Sequence, residues 1–313
     1  MRALALTEFG DPDVLELVDV DDPTPAPDTV VVDVAAAGVN PVDHKIVAGH
    51  LRGAFPFDLP LIPGWDVAGT VVAVGPAVPE IAEGDRVVGY VRKDHLGAVG
   101  TFAEQVAAHP RHLAPAPRTV DLETAAALPL AGLTALQSLR RAHVGPGDVV
   151  LIHNAGGGVG SFAVQLAVHA GATVIGTGSE SGHDRLRDLG AIPVAYGDGL
   201  ADRVRDALSG GGVGTPTAAM DYVGTDEATE VSLALLDDPS RAVSITNPAI
   251  AERGGTYWFV RPQPEDLALL SRLVDTGALR IDVTGRWPLA EGAAALTASA
   301  EGHARGKLVI TAG

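Results

Sequence analysis

The 313-residue chain contains no cysteine. Disulfides, thiolate zinc sites, cysteine-ligated iron–sulfur clusters and cysteine nucleophiles are thereby excluded. Lysine is almost as scarce, with Lys45, Lys93 and Lys307 the whole complement. Lys and Arg total 22 against 39 Asp and Glu, a formal net charge of -17. Such a surface repels nucleic-acid phosphates and anionic membranes, so neither is an expected partner. Apolar runs are broken repeatedly by charge, Gly or Pro, which leaves no expected membrane span. Met1–Phe9 reads as a short strand and lacks the basic start and long apolar core of a signal peptide. A cytoplasmic protein is expected.

Apolar residues, in contrast, are plentiful. They make up 46% of the chain against 19% charged residues, enough at this length for two packed cores. The first 118 residues are rich in valine, glycine and proline. Runs of strand character recur at Val30–Val34, Val67–Val74, Arg86–Gly89 and Phe102–Val106, separated by turn residues such as Glu83-Gly84-Asp85. A mostly-β domain is predicted there. Near residue 120 the texture changes. Leu122–Leu139 has helical spacing, and after the turn Gly145-Pro146-Gly147-Asp148 strands alternate with helices. The expected strands are Val149–His153, Thr173–Gly176, Pro193–Tyr196, Ala218–Tyr222, Ala242–Ile245 and Tyr257–Val260, with helices at Gly158–Ala170 and His183–Leu189. Apolar strands in this alternation predict a buried parallel sheet. Gly210-Gly211-Gly212 reads as a flexible loop. A helix Glu265–Thr276, a strand Arg280–Thr284, a helix Ala290–Ala300 and a strand Lys307–Thr311 close the chain and can return to the first domain.

The strongest local signal is His153-Asn154-Ala155-Gly156-Gly157-Gly158-Val159-Gly160, directly after a strand and opening a helix. Ala155, Gly157 and Gly160 occupy the three small-residue positions of the dinucleotide fingerprint. They permit a tight turn, backbone approach to a pyrophosphate and close helix–strand packing. The helix N-terminus adds partial positive charge, which a protein this acidic needs in order to hold an anionic cofactor. NAD sites usually carry Asp or Glu at the end of the second strand. Here that region reads Gly178-Ser179-Glu180-Ser181-Gly182-His183-Asp184-Arg185. Small and hydroxyl residues leave room for a 2′-phosphate, with Ser179, Ser181, His183 and Arg185 as donors, so NADPH is expected and NADH stays possible. Glu180, if turned inward, favours NAD. In the alternative reading these residues only cap the next helix, with Ser181 as N-cap.

Five motifs then line up in order. They are Gly38-Val39-Asn40-Pro41-Val42-Asp43-His44-Lys45, Pro63-Gly64-Trp65-Asp66-Val67-Ala68-Gly69, Gly84-Asp85-Arg86-Val87, Gly132-Leu133-Thr134-Ala135 and the glycine turn, with Gly306-Lys307-Leu308-Val309 as a closing strand. Together they resemble the zinc-independent quinone oxidoreductase branch of the medium-chain dehydrogenase/reductase superfamily, across essentially the whole chain. The resemblance implies an α/β protein, with a GroES-like mostly-β catalytic domain (1–118 and 265–313) and a Rossmann doubly wound parallel-sheet domain (119–264). It also implies metal-free transfer of hydride from NADPH to a quinone or an α,β-unsaturated carbonyl compound. Zinc-dependent relatives carry Cys at the position of Asn40 and His at that of Trp65, so no zinc is expected.

By the same resemblance Asn40 lies beside the nicotinamide. Asp43 and Lys45 either form an ion pair that orders their loop or take part in proton transfer, and His50 is a candidate acid where relatives often place a tyrosine. Thr134, Tyr196, Phe259, Val260 and Lys307 join the glycine turn (Ala155, Gly156, Gly157, Gly158, Val159 and Gly160) as expected cofactor contacts. Val223 and Thr246 join them because they fall at strand C-termini, where open parallel sheets bind ligands. Trp65 lines the substrate pocket or simply packs, whereas His95, His109 and His112 read as surface residues. Relatives often place Arg or Lys where this chain has Ser181-Gly182, and the chain's Asn154 replaces their Ala or Gly. An aromatic edge strand at Tyr257-Trp258-Phe259 is a liability when exposed and predicts a homodimer that covers it. Two other functions remain open, an enoyl reductase acting on a carrier-bound or polyketide-type intermediate and a non-catalytic NADPH-binding structural or regulatory protein.

Overall fold

The structure, a computed structural model, describes residues 1–209, 214–302 and 304–312. The glycine run Gly210-Gly211-Gly212 lies outside the described residues. The chain divides into two compact units. One comprises Met1–Leu133, Pro262–Gly277 and Ile281–Gly313, the other Thr134–Arg261 and Ala278–Arg280.

The first unit is built on a seven-stranded sheet ordered Val283–Pro288, Lys307–Thr311, Val30–Val39, Asp66–Val74, Arg86–Tyr90, Leu113–Pro115, with Gln105–Ala108 paired to Val30–Val39. Val30–Val39 is the organising strand. Its valine and alanine side chains are buried along most of its length, and Val30, Val32 and Val34 form one core with Val67, Val71 and Val87. β-Branched side chains suit a pleated surface packed on both faces. The last strand runs antiparallel to its end, pairing Leu308 with Val39 and Thr311 with Ala36. Lys307 is thereby carried to the end of a strand far away in sequence.

The second unit holds a six-stranded parallel sheet, ordered Ala191–Ala195, Thr173–Gly178, Val149–His153, Ala218–Asp221, Ala242–Ser244, Thr256–Tyr257. The expected strands all form, although the last stops at Tyr257 instead of reaching Val260. In this unit two helices escaped the sequence reading. Leu200–Ser209 buries Leu200, Val204 and Leu208, an i, i+4, i+8 stripe that was there to be read. Asp226–Leu235 is capped by Thr225, whose hydroxyl accepts from the Ala228 N–H at 3.2 Å. The long helix expected over Leu122–Leu139 is two helices, Leu122–Ala125 and Pro129–Arg141. Pro129 explains the break, because proline has no N–H to donate and forces the preceding residue out of helical geometry. In the first unit the strand expected at Arg280–Thr284 sits later, at Val283–Pro288.

Candidate active site

The glycine turn forms as its sequence demands. Asn154 adopts a left-handed conformation with φ 55°, and its carbonyl accepts from the Gly157 N–H at 3.1 Å. Asparagine tolerates that conformation better than most residues. Its side-chain Nδ2 also donates to the Tyr222 carbonyl at 3.3 Å, and its backbone N–H donates to Thr177 Oγ1 at 3.2 Å. These bonds give a reason for asparagine at this position that sequence reading lacked. A Cβ on Gly160 would collide with the Asn154 carbonyl oxygen, and one on Gly157 would lie 2.8 Å from the Asn154 side-chain nitrogen. Ala155 is fully buried against Gly176, where no further side-chain carbon fits. The helix Gly160–His169 then starts with no side-chain cap on its first N–H groups. A pyrophosphate suits such a helix end.

Around this turn the sheet ends in buried polar groups that sequence reading missed. Asp221, 1% exposed, accepts from the Val223 and Gly224 N–H groups at 3.0 and 2.8 Å and from Ser244 Oγ at 2.8 Å. It thereby holds the turn after the fourth strand in shape. Ser244 Oγ in turn accepts from the Asn247 N–H at 2.9 Å, which fixes the segment of Thr246. His153 bonds Ser232 at 3.0 Å, and burial pushes its pKa down to about 4 against the opposing pull of Asp221. Tyr222 meets Ser138 at 2.7 Å, and burial holds its phenol above the ordinary tyrosine range. Asp, Ser and Tyr at strand C-termini were a signal available in advance.

Ser179 and Ser181 share a hydrogen bond of 3.2 Å. Neither side chain caps the helix His183–Asp188, whose N-cap is Gly182, so the capping role suggested for Ser181 is not realised. The hydroxyls belong to a short 3-10 turn, Glu180–Gly182, whose Glu180 is exposed. His183 Nε2 is buried without a hydrogen-bond partner, a donor or acceptor left for a ligand. Tyr196 is 63% exposed and Val223 45% exposed. Thr134 is buried, as is Val260, while Phe259 is 44% exposed.

In the first unit the expected Asp43–Lys45 ion pair is absent among the described residues. Lys45 is exposed, whereas Asp43 is fully buried and accepts from the Asn40 N–H at 2.7 Å. The Asp43 N–H in turn donates to the Asn40 backbone carbonyl at 2.9 Å at the start of the helix Pro41–Val47. The partner of the motif is instead Lys307. Its Nζ donates to Asn40 Oδ1 at 2.5 Å and to the Val39 carbonyl at 2.8 Å. Asn40 Nδ2 donates to Asp66 Oδ2 at 2.9 Å, and the Leu130 N–H donates to Asp66 Oδ1 at 2.8 Å. Asn40 is 1% exposed with both ends of its amide engaged. Gly38 makes room for this, since a Cβ there would sit 2.9 Å from Asp66 Oδ2.

Burial raises both carboxyls, Asp43 to about 8 and Asp66 to about 6, and it lowers Lys307. Lys307 opposes the rise at both carboxyls. Asp43 Oδ1 has no hydrogen-bond partner.

Trp65 is 4% exposed and packs between Phe55 and Tyr90, with each ring pair 5.9 Å apart, so packing is the role seen. His50 is exposed. His112, expected at the surface, is buried, and burial together with the cations near it pushes its pKa down to about 4. Among the described residues no cluster of three or more His, Cys, Asp or Glu is arranged to hold a metal ion. No described helix is long and apolar enough to cross a membrane.

Comparison with known proteins places this architecture. Residues 26–118 match the alcohol dehydrogenase GroES-like domain family, and residues 189–310 match the family described as zinc-binding dehydrogenase. The NADPH-dependent alkenal/one oxidoreductase of Arabidopsis thaliana chloroplasts is 32% identical over 320 residues, covering 99% of this chain and 79% of the relative. Among solved structures, the Coxiella burnetii quinone oxidoreductase superposes with a TM-score of 0.85 at 32% identity, covering 100% of this chain and 99% of that one. The mycobacterial protein Rv1454c complexed with NADPH superposes at 0.82 with 31% identity, covering 100% of both chains. The two units are thus a GroES-like domain and a Rossmann-like parallel-sheet domain. The chain belongs to the quinone oxidoreductase branch of the medium-chain dehydrogenase/reductase superfamily.

Proposed function

We propose that this protein is an NADPH-dependent reductase that delivers hydride, without zinc, to a quinone or an α,β-unsaturated carbonyl compound. The observation that carries the reading is the turn Asn154–Gly160, which closes so tightly that a Cβ on Gly157 or Gly160 would strike Asn154, and which opens a helix whose first N–H groups have no side-chain cap. The relatives support the chemistry, since one is named an NADPH-dependent alkenal/one oxidoreductase and another a quinone oxidoreductase. When bound, NADPH supplies the hydride. The chain's part is to bind and orient. Backbone N–H groups of the glycine turn would hold the pyrophosphate. Ser179, Ser181, His183, Arg185 and Tyr196 would surround the adenosine phosphate, with Thr134, Val223, Thr246, Phe259 and Val260 contributing elsewhere.

The donor set does not fit zinc. Asn40 Oδ1, where zinc-dependent relatives have a thiolate, is bonded to an ammonium, and Trp65 offers no lone pair. Asn40, Asp43 and Lys307 act in this reading by fixing the start of the helix Pro41–Val47. The cysteine-free, acidic composition suits a cytoplasmic setting. A homodimer formed through the edge strand Thr256–Tyr257 would cover Tyr257 and Phe259, which are 39% and 44% exposed. Light scattering that finds a monomer at every concentration refutes that assembly.

The test is oxidation of NADPH, and separately of NADH, with a panel of quinones and enones, in the presence and absence of a chelator. Turnover with NADPH that the chelator leaves unchanged is expected. NADPH binding with no turnover on either acceptor class overturns the reductase reading, and inhibition by the chelator overturns the zinc-free one.

A further inference from the structure

The first unit carries a cavity of about 730 Å³, remote in sequence from both the glycine turn and Asn40. Its size is that of a small-molecule site. Its walls are largely apolar, with Ile81, Val87, Leu113, Ala114, Pro115 and Pro264 among them. Its charged lining is unusual for this protein. Three arginines, Arg86, Arg111 and Arg118, face it together with His109.

These arginines differ from six others in the chain. Arg2, Arg187, Arg205, Arg241, Arg253 and Arg286 each pair with a carboxylate. In a chain with 39 acidic residues against 22 basic ones, that is the expected fate of a guanidinium. None of the three at the cavity forms an ion pair with a described residue. Arg86 donates only to the Val120 carbonyl at 3.3 Å. Arg111 donates only to the ring of His112 at 3.3 Å, a ring that burial keeps neutral. The Arg118 side chain has no ion pair or hydrogen bond to a described residue; Asp275 accepts from its backbone N–H, and the guanidinium adds only a weak pull on that carboxylate. Lys93 crowds Arg111 closely enough to lower its own pKa, after the larger effect of burial, and its Nζ donates to a backbone carbonyl instead of a carboxylate.

The two acids in the lining do not cancel this. Asp85 is committed to its own turn, accepting from the Ala82 N–H at 2.9 Å, and Glu80 is exposed. Asp28 lies 3.6 Å from His109, and Asp275 is occupied by Arg118 and Thr119 N–H groups and the Thr119 hydroxyl. Unpaired guanidiniums beside apolar walls match a ligand with an anionic head and an apolar body. We propose that this cavity binds a small amphipathic anion, its carboxylate, sulfonate or phosphate head held by Arg111 and Arg118.

The probe is 8-anilinonaphthalene-1-sulfonate, titrated by fluorescence into the full chain. Binding at one site is expected, weakened at least about tenfold in Arg111→Glu/Arg118→Glu, because two charge-assisted bonds are lost. The Arg111→Lys/Arg118→Lys variant should recover most of that affinity. Arg253→Glu, which breaks an ion pair elsewhere, should leave it unchanged, and so should the cavity substitutions for neutral N-phenyl-1-naphthylamine. Arg111 and Arg118 are both exposed, so the variants should fold, as an unchanged circular dichroism spectrum would verify. Wild-type affinity in the Glu/Glu variant, an equal loss in Arg253→Glu, or no probe binding at all overturns the proposal.

Discussion

The two units bury polar groups in opposite ways. In the parallel-sheet unit the polar groups serve the turns at the strand ends. The left-handed Asn154 closes a tight glycine turn ahead of a helix whose start has no side-chain cap, and Asp221 props the neighbouring turn through two N–H bonds. In the GroES-like unit the polar groups are charged and turned on one another. Lys307, Asp66, Asp43 and Asn40 are all nearly inaccessible, and most of their bonding capacity is internal. The first arrangement shapes turns, whereas the second ties the start of the helix Pro41–Val47 to the closing strand.

The sharpest way to break this comparison is to remove the cation. Lys307→Met strips the buried cluster of its ammonium and leaves Asp66 and Asn40 Oδ1 without it. A loss of about 3–5 kcal/mol in urea unfolding is expected, with Lys307→Met/Asp66→Asn recovering much of it. If Lys307→Met instead leaves stability unchanged and only weakens NADPH binding, the cluster is a ligand site after all.

Next in size is the glycine turn. Gly160→Ala places a methyl against the Asn154 carbonyl oxygen, whereas a Cβ on Gly156 meets nothing nearer than Leu186 at 3.9 Å. NADPH binding measured by fluorescence should weaken by about tenfold or more in the first and by less than about twofold in the second. Equal effects would show that the space behind the turn does not matter.

A smaller, pH-dependent effect is expected at Asp148, which closes the turn leading into the central strand. Its bond from Arg241, assisted by Thr217 Oγ1 and the Gly145 N–H, holds its pKa down to about 2 from an ordinary 3.8. A depressed carboxyl pKa stabilises the fold above the unfolded value, and that contribution is lost as the pH falls through about 2. Asp148→Asn should therefore lower the melting temperature at neutral pH and flatten its fall between about pH 4 and 2. The smallest effect belongs to Asn154. Asn154→Gly should stay within about 0.5 kcal/mol of wild type, while Asn154→Ala should cost about 1–2 kcal/mol for its left-handed backbone. Thermal melts of the two distinguish a conformational role from the Tyr222 bond, which both variants lose.

The sequence by itself determined the parallel sheet, the glycine turn, the lack of any thiolate chemistry and the family, because those signals are local. Apolar strands, a strand–turn–helix junction and small residues at fixed spacing act through neighbours a few positions away. The breaks were also local in principle, since Pro129 splits its helix and the stripe Leu200, Val204, Leu208 marks another. Only the tertiary structure decided which polar residues pair. Asp43 and Lys45 are two apart yet point to different environments, while Asn40 bonds Lys307 across 267 positions because the closing strand is zipped against Val39. Burial then makes that distant pairing obligatory, since a charge removed from water must find its partner wherever the chain brings one.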